Sequence, residues 1–304
     1  VRIHIIDMLS RFDRPDVSAA LEGQLRSNHK MIRQSALTAL ARQKSASNIR
    51  LICSLLLDAD VDVQNKAVDV IVKLNHKDTI KHLIPALKDE NEYARRAAVE
   101  VLNEIGTPDS IKDLLNAVRD DDWWVRARAA DALADIGGPR VGKAVTKLVK
   151  DDDQEIRRAA GEILNATKDP QAIDHLISAT KDDDWWVRER AVDALAEIGD
   201  TRAVPVLSGM LGKHDKSDPT VIRALGKLGA TDIVPKLKPM LAKGGREVRV
   251  EAMKAMAMLV SEKELPAVRD ELLRIQDGGD KALAEAADIA LETLQTRFSD
   301  VVRE

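Results

Sequence analysis

The residues of this 304-residue chain that could do chemistry are six histidines, one cysteine and a series of aspartate triplets. His4, His29, His76, His82, His175 and His214 form no recurring group, and none is followed by Glu. A zinc helix of the HExxH kind is therefore excluded, as are the P-loop, GxGxxG, GxSxG and CxxC patterns, none of which occurs. Cys53 sits in the apolar run Ile52-Cys53-Ser54-Leu55-Leu56-Leu57 with no histidine nearby, which reads as a buried, inert thiol rather than a nucleophile. The triplets Asp120-Asp121-Asp122, Asp151-Asp152-Asp153 and Asp182-Asp183-Asp184 could be imagined as calcium ligands. No further carboxylates converge on them, and an aspartate just before an apolar run more naturally caps a helix. The sequence thus predicts no catalytic residue, no metal and no cofactor.

What remains is binding. The chain has seven aromatic residues, and five of them fall at one kind of position: Tyr93, Trp123, Trp124, Trp185 and Trp186. To see what that position is, one must find the elements that hold it. Trp124-Val125-Arg126-Ala127-Arg128-Ala129-Ala130-Asp131-Ala132-Leu133 matches Trp186-Val187-Arg188-Glu189-Arg190-Ala191-Val192-Asp193-Ala194-Leu195. The apolar anchor of this segment recurs every 31 residues, at Val1, Ile32, Val63, Ala94, Val125, Ile156 and Val187, with looser copies near Ser217, Val248 and Leu283. About ten copies fill the chain, an unambiguous repeat signal.

Within one copy the apolar spacing is helical. At 100° per residue Val125, Ala129, Ala132, Leu133 and Ile136 share an arc, with Ala127 and Ala134 opposite. The Ile136-Gly137-Gly138-Pro139 break is followed by a second helical period through Val141, Ala144, Val145, Leu148 and Val149. One such hairpin cannot bury its own stripe, whereas a stack of them can.

The unit DDDWWVRARAADALADIGGPRVGKAVTKLVKDDD resembles a HEAT repeat of the short, phycobilin-lyase-like type, and the resemblance spans residues 1–295. It implies an all-α, right-handed α-solenoid of about ten helical hairpins over residues 1–304, regular over 1–216 and degenerate over 217–304. It also implies a ladder of Asp and Arg six residues apart, matched by Asp89/Arg95, Asp120/Arg126, Asp151/Arg157 and Asp182/Arg188. Gln64 takes the Arg place opposite Asp58, and the pattern fails at Gly212/Asp218 and Lys243/Arg249, so looser or reoriented packing is expected after about residue 212. Residues 92–153 and 154–215 further read as two copies of a double unit.

In that family the second helix lines the concave side, which would place Arg96, Arg128, Arg158 and Arg190 beside Tyr93, Trp124 and Trp186. An acidic row of Asp69, Glu100, Asp131, Glu162 and Asp193 would run with them, turning basic at Arg223 and Lys254. Tyr93, Trp124 and Trp186, one residue before the anchor, lie off the buried arc and are expected to be at least half exposed. Trp123 and Trp185, one residue earlier, are expected to pack between repeats. Large aromatic residues and arginines dominate binding hot spots, so these seven residues, Tyr93, Arg96, Trp124, Arg128, Arg158, Trp186 and Arg190, are the predicted site for a protein or peptide. The resemblance also brings an alternative, a bilin lyase or lyase-like chromophore-handling subunit, which nothing but the repeat supports. It brings deoxyhypusine hydroxylase too, whose His-Glu iron pairs are missing here, and alkylpurine DNA glycosylases, whose basic concave face the acidic balance of this chain disfavours.

With 51 acidic and 47 basic residues the net charge is −4, which removes any global case for nucleic-acid binding. No apolar stretch reaches membrane-spanning length and no signal peptide opens the chain, which points to a cytoplasmic protein. Its opening on Val1 leaves room for a longer polypeptide.

Overall fold

A computed structural model describes residues 1–43, 49–213 and 218–299, and among them every regular element is helical. The chain forms two compact units, Val1–Val145 and Thr146–Glu304. Both are built from the same two-layer hairpin. In the first unit the helices Arg2–Leu9, Lys30–Gln43, Val61–Leu74, Glu92–Ile105 and Trp123–Ile136 pack each on the next. In the second, Gln154–Thr167, Trp185–Ile198, Asp218–Lys227, Arg246–Leu259 and Lys281–Arg297 do the same. A second layer of shorter helices lies behind, most of them packed on the long helix that follows, as Thr79–Leu87 packs on Glu92–Ile105 and Ile173–Ala179 on Trp185–Ile198. The expected all-α solenoid of stacked hairpins is the observed architecture.

The sequence period explains the stack. The anchors Ile32, Val63, Ala94, Val125, Ile156, Val187, Val248 and Leu283 are buried. Four residues on, Ala36, Ala67, Ala98, Ala129, Ala160 and Ala191 are fully buried, and so are Leu40, Ile71, Leu102, Leu133, Leu164 and Leu195 another four on. Residues i, i+4 and i+8 share one helix face. The alanine lets neighbouring long helices approach, and the larger residue fills the space beside it, contributing about 1.5–3 kcal/mol per repeat. The first anchor breaks the rule: Val1 is fully exposed, and Ile6 and Ser10 face the next helix instead. Ser217 and His214 lie outside the described residues, but Val221 and Leu225, four and eight positions after Ser217, are buried. Cys53 is buried in the short-helix layer, and that burial pushes its thiol pKa up to about 12, as an inert core cysteine requires.

The polar ladder is present, with a division of labour that spacing alone did not reveal. Arg95 donates through Nη1 to the backbone carbonyls of Asp89 and Glu90, at 2.9 and 3.0 Å, while its Nε and Nη2 grip the carboxylate of Asp120 in the next repeat. Arg157 repeats this with the Asp151 carbonyl and the Asp182 carboxylate, and Arg33 with the Ser27 carbonyl and Asp58. Each arginine therefore pins its own turn and clamps the following one. Gln64 keeps only half of the device: its Nε2 bonds the Asp58 carbonyl at 2.7 Å, and Asp89 is left with the Asn91 N–H as its partner among the described residues. Replacing Gln64 by Arg is expected to complete this rung and raise stability by about 1 kcal/mol, read as a higher urea midpoint. An unchanged or lower midpoint would contradict the ladder account.

Beyond residue 212 the ladder stops, and its polarity reverses: the Gly212 N–H donates to the Asp218 carboxylate at 2.9 Å. At one point the helices Asp218–Lys227 and Arg246–Leu259 still approach closely: a Cβ placed on Gly226 would come within 3.3 Å of the Ala255 Cβ. Apolar complementarity carries these repeats without the rungs.

Candidate functional site

The aromatic positions are set by how each long helix starts. The third residue of each acidic turn is its N-cap: Asp122 accepts from the Trp124 and Val125 N–H groups, at 3.1 and 3.0 Å, and Asp184 from Val187 at 3.0 Å. The first residue of the turn accepts the N–H of the third, as Asp120 does from Asp122 and Asp182 from Asp184. The triplets are thus turn-and-cap devices whose oxygens are held by N–H groups and guanidiniums. Among the described residues no cluster of His, Cys, Asp or Glu is arranged to hold a metal.

In the first unit the cap Asp122 also receives Arg96 from the preceding helix, through Nε and Nη2 at 3.1 and 2.6 Å. The Arg96 guanidinium lies 5.5 Å from the Tyr93 ring centre. From the other side Arg128 reaches back to both oxygens of Glu100, at 2.8 and 3.1 Å, with its guanidinium 5.7 Å from the Trp124 ring centre. Tyr93, Arg96 and Trp124 line one open groove of about 440 Å3 with Val68, Asp69 and Glu100. Three of the predicted residues therefore meet at one cavity, and Arg128 supports it from behind.

The second unit repeats the frame with changes. Arg158 bonds Asp184 at 3.1 and 2.8 Å, and Gln154 adds a third donor at 2.8 Å. Here the Trp186 indole N–H donates to Glu162 at 3.1 Å, and the Arg190 guanidinium lies over the Trp186 ring at 4.8 Å while its Nη2 bonds Asp193. The cause is Gly161, where the first copy has Val99. A Cβ on Gly161 would sit 3.2 Å from the Arg190 Cβ, so the arginine stem occupies that space. Glu162 is left to the indole.

Two expectations need correction. Trp124 and Trp186 are partly buried and fall short of the half exposure expected, because each ring lies against an arginine of its own helix. Trp123 and Trp185, expected between repeats, are instead the most exposed tryptophans, at 66% and 54%. The helical wheel contained this signal: two residues before the anchor is 200° away from the buried arc, and the first residue of a helix leans back over the preceding turn. Tyr93, at 46%, is exposed but falls just short of the half expected. The charge row is internally paired. Arg223 reaches back to Asp193 at 3.0 Å, and Lys254 pairs with Glu251, so the change of sign near residue 220 creates no separate basic face.

The ion pairs shift the carboxyls. The Arg96 guanidinium holds the Asp122 carboxyl below the usual range, Arg158 does so for Asp184, and Lys30 for Asp60. These groups are more acidic folded than unfolded, so their stabilisation is complete above the ordinary carboxylate value and is lost as pH falls through the depressed ones. The melting temperature is expected to hold nearly constant from about pH 7 to 5 and to drop below about pH 4. A flat profile across the acid range would show that these pairs contribute nothing.

A family model described as HEAT repeats matches residues 49–134, 80–164 and 142–220. No curated protein matches the sequence significantly. Among solved structures, importin beta is similar with a TM-score of 0.62 at 15% identity, over 93% of this chain and 48% of that one. Kap95p, in a structure with RanGDP, gives 0.61 at 16% identity, over 94% and 48%. The chain therefore spans about half the length of either. The CpcE–CpcF complex of phycocyanin lyase from Nostoc sp. PCC7120 gives 0.47 at 24% identity, over 58% of this chain and 74% of that one. Among the described residues no helix is long and apolar enough to cross a membrane.

Proposed function

The chain belongs to the HEAT-repeat family, and we propose that it is a non-catalytic scaffold that binds a protein or peptide on its long-helix face. The observation that carries this reading is the groove where exposed Tyr93 and half-buried Trp124 stand beside Arg96. In a chain so poor in aromatic residues, rings kept at a surface groove rather than in the core serve a partner better than they serve folding. Trp186, with Arg158 and Arg190, is the corresponding group in the second unit. The same fold engages a protein in Kap95p with RanGDP. Repeats suit the role because their outward residues vary without disturbing the buried column. The test is affinity capture from the source cell's lysate with the wild type and the Tyr93→Ala, Trp124→Ala double variant. A protein retained by the first and lost by the second supports the face. A protein retained equally by both removes it.

A further inference from the structure

We propose that the free edge of Arg188 is a docking site for a carboxylate of an acidic peptide segment in a protein partner, on the turn edge of the repeat rather than in the aromatic groove. In the rungs of Arg33, Arg95 and Arg157, Nη1 is fixed on backbone carbonyls and the Nε/Nη2 edge grips an aspartate 25 residues on: Asp58, Asp120 and Asp182. Arg188 is fixed in the same way, its Nη1 donating to the Asp182 and Asp183 carbonyls at 2.7 and 2.9 Å. The residue 25 positions on is Lys213, a cation in place of the expected anion. The Arg188 Nε is buried and has no acceptor among the described residues. Arg190 and Arg249 share that lack, and Arg188 also lines a cavity.

That cavity, of about 490 Å3, lies at the gap. It is lined by Arg188, Lys181 and Lys213, with Pro205 and Met210 as apolar walls. Asp182 and Asp183 also line it; the Asp182 carboxylate is already held by Arg157, and Asp183 is exposed. Three cations thus converge where three sister rungs each hold one carboxylate. A desolvated guanidinium donor without an acceptor is costly, and a two-oxygen anion matches its planar edge. Binding there would complete the rung from outside.

The experiment titrates the α-amide of N-acetylaspartate, whose one carboxylate is the side chain's, into the full chain and follows the side-chain Nε–H resonance of Arg188, assigned by its absence in Arg188→Lys. A saturable shift is expected, absent with the α-amide of N-acetylasparagine and weaker with sulfate. Lys213→Asp, which supplies the missing carboxylate in the chain, is expected to abolish the titration and to raise the melting temperature by about 2–4 °C. No shift, or an equal shift with the α-amide of N-acetylasparagine or with sulfate, overturns the proposal. So does a Lys213→Asp variant that leaves both readouts unchanged. Asp215 lies outside the described residues, and if Asp215→Asn alone moves the Arg188 resonance as far as the ligand does, the carboxylate is the chain's own and the docking site does not exist.

Discussion

The Tyr93→Ala, Trp124→Ala double variant is expected to bind the captured protein at least about 30-fold more weakly than the wild type, a loss of about 2 kcal/mol or more. The expectation rests on both rings lining one groove with Arg96 and Glu100. The two rings differ in their cost to the fold, which makes the test interpretable. Tyr93 is exposed, with the Arg96 guanidinium 5.5 Å from its ring centre, so Tyr93→Ala alone should change stability by no more than about 0.5 kcal/mol. Trp124 carries the Arg128 guanidinium, and its removal should cost about 1 kcal/mol more. Trp124→Phe keeps an aromatic surface for that guanidinium and separates binding from folding. If the double variant binds normally while Trp123→Ala or Trp185→Ala abolishes capture, the partner uses the turn edge, where the most exposed rings lie. A visible absorbance band after co-expression with a bilin pathway, with no protein captured, would replace the scaffold by the chromophore-handling alternative.

How much of this was legible in the sequence depended on the range of the interaction. The buried column was legible because Ala129 and Leu133 sit on the anchor's own helix at spacings fixed by helical geometry. The N-caps were legible for the same reason, each lying within a few residues of the N–H it binds. The ladder was visible as a spacing of six, but the atoms were not. That spacing reports the arginine's bond to its own turn, whereas the carboxylate it clamps lies 25 residues on, a distance set by the stack. The pairing of Arg128 with Glu100 was hidden for the same reason, and so was the effect of Gly161, whose missing Cβ matters only because a neighbouring helix presses against it. The tryptophan pair was not hidden: the wheel turns Trp123 outward and leaves Trp124 at the flank, where an arginine one turn on can cover it.

The Asp184→Ala variant is expected to destabilise the second unit by about 3 kcal/mol, whereas Asp183→Ala, one residue away, should stay within about 0.5 kcal/mol. Asp184 is buried and caps Val187, holds both donors of Arg158 and accepts a third bond from Gln154. Loss of a cap costs about 1 kcal/mol, and loss of charge-assisted bonds about 1.5–3 kcal/mol; the two add because the same carboxylate serves both. Asp183 is exposed and lends the rung only its carbonyl, which alanine retains. Asp184→Asn can still cap but no longer carries the charge, so its loss should fall between the two. The form of the transition matters as much as its midpoint. In a linear array stability is a sum of repeats and the interfaces between neighbours. Cutting the bridge from Gln154–Thr167 to Trp185–Ile198 weakens an interface, so urea unfolding should broaden as well as shift. A pure shift, with an unchanged slope, would mean that the apolar column alone holds these helices together and that the aspartate acts only as a cap.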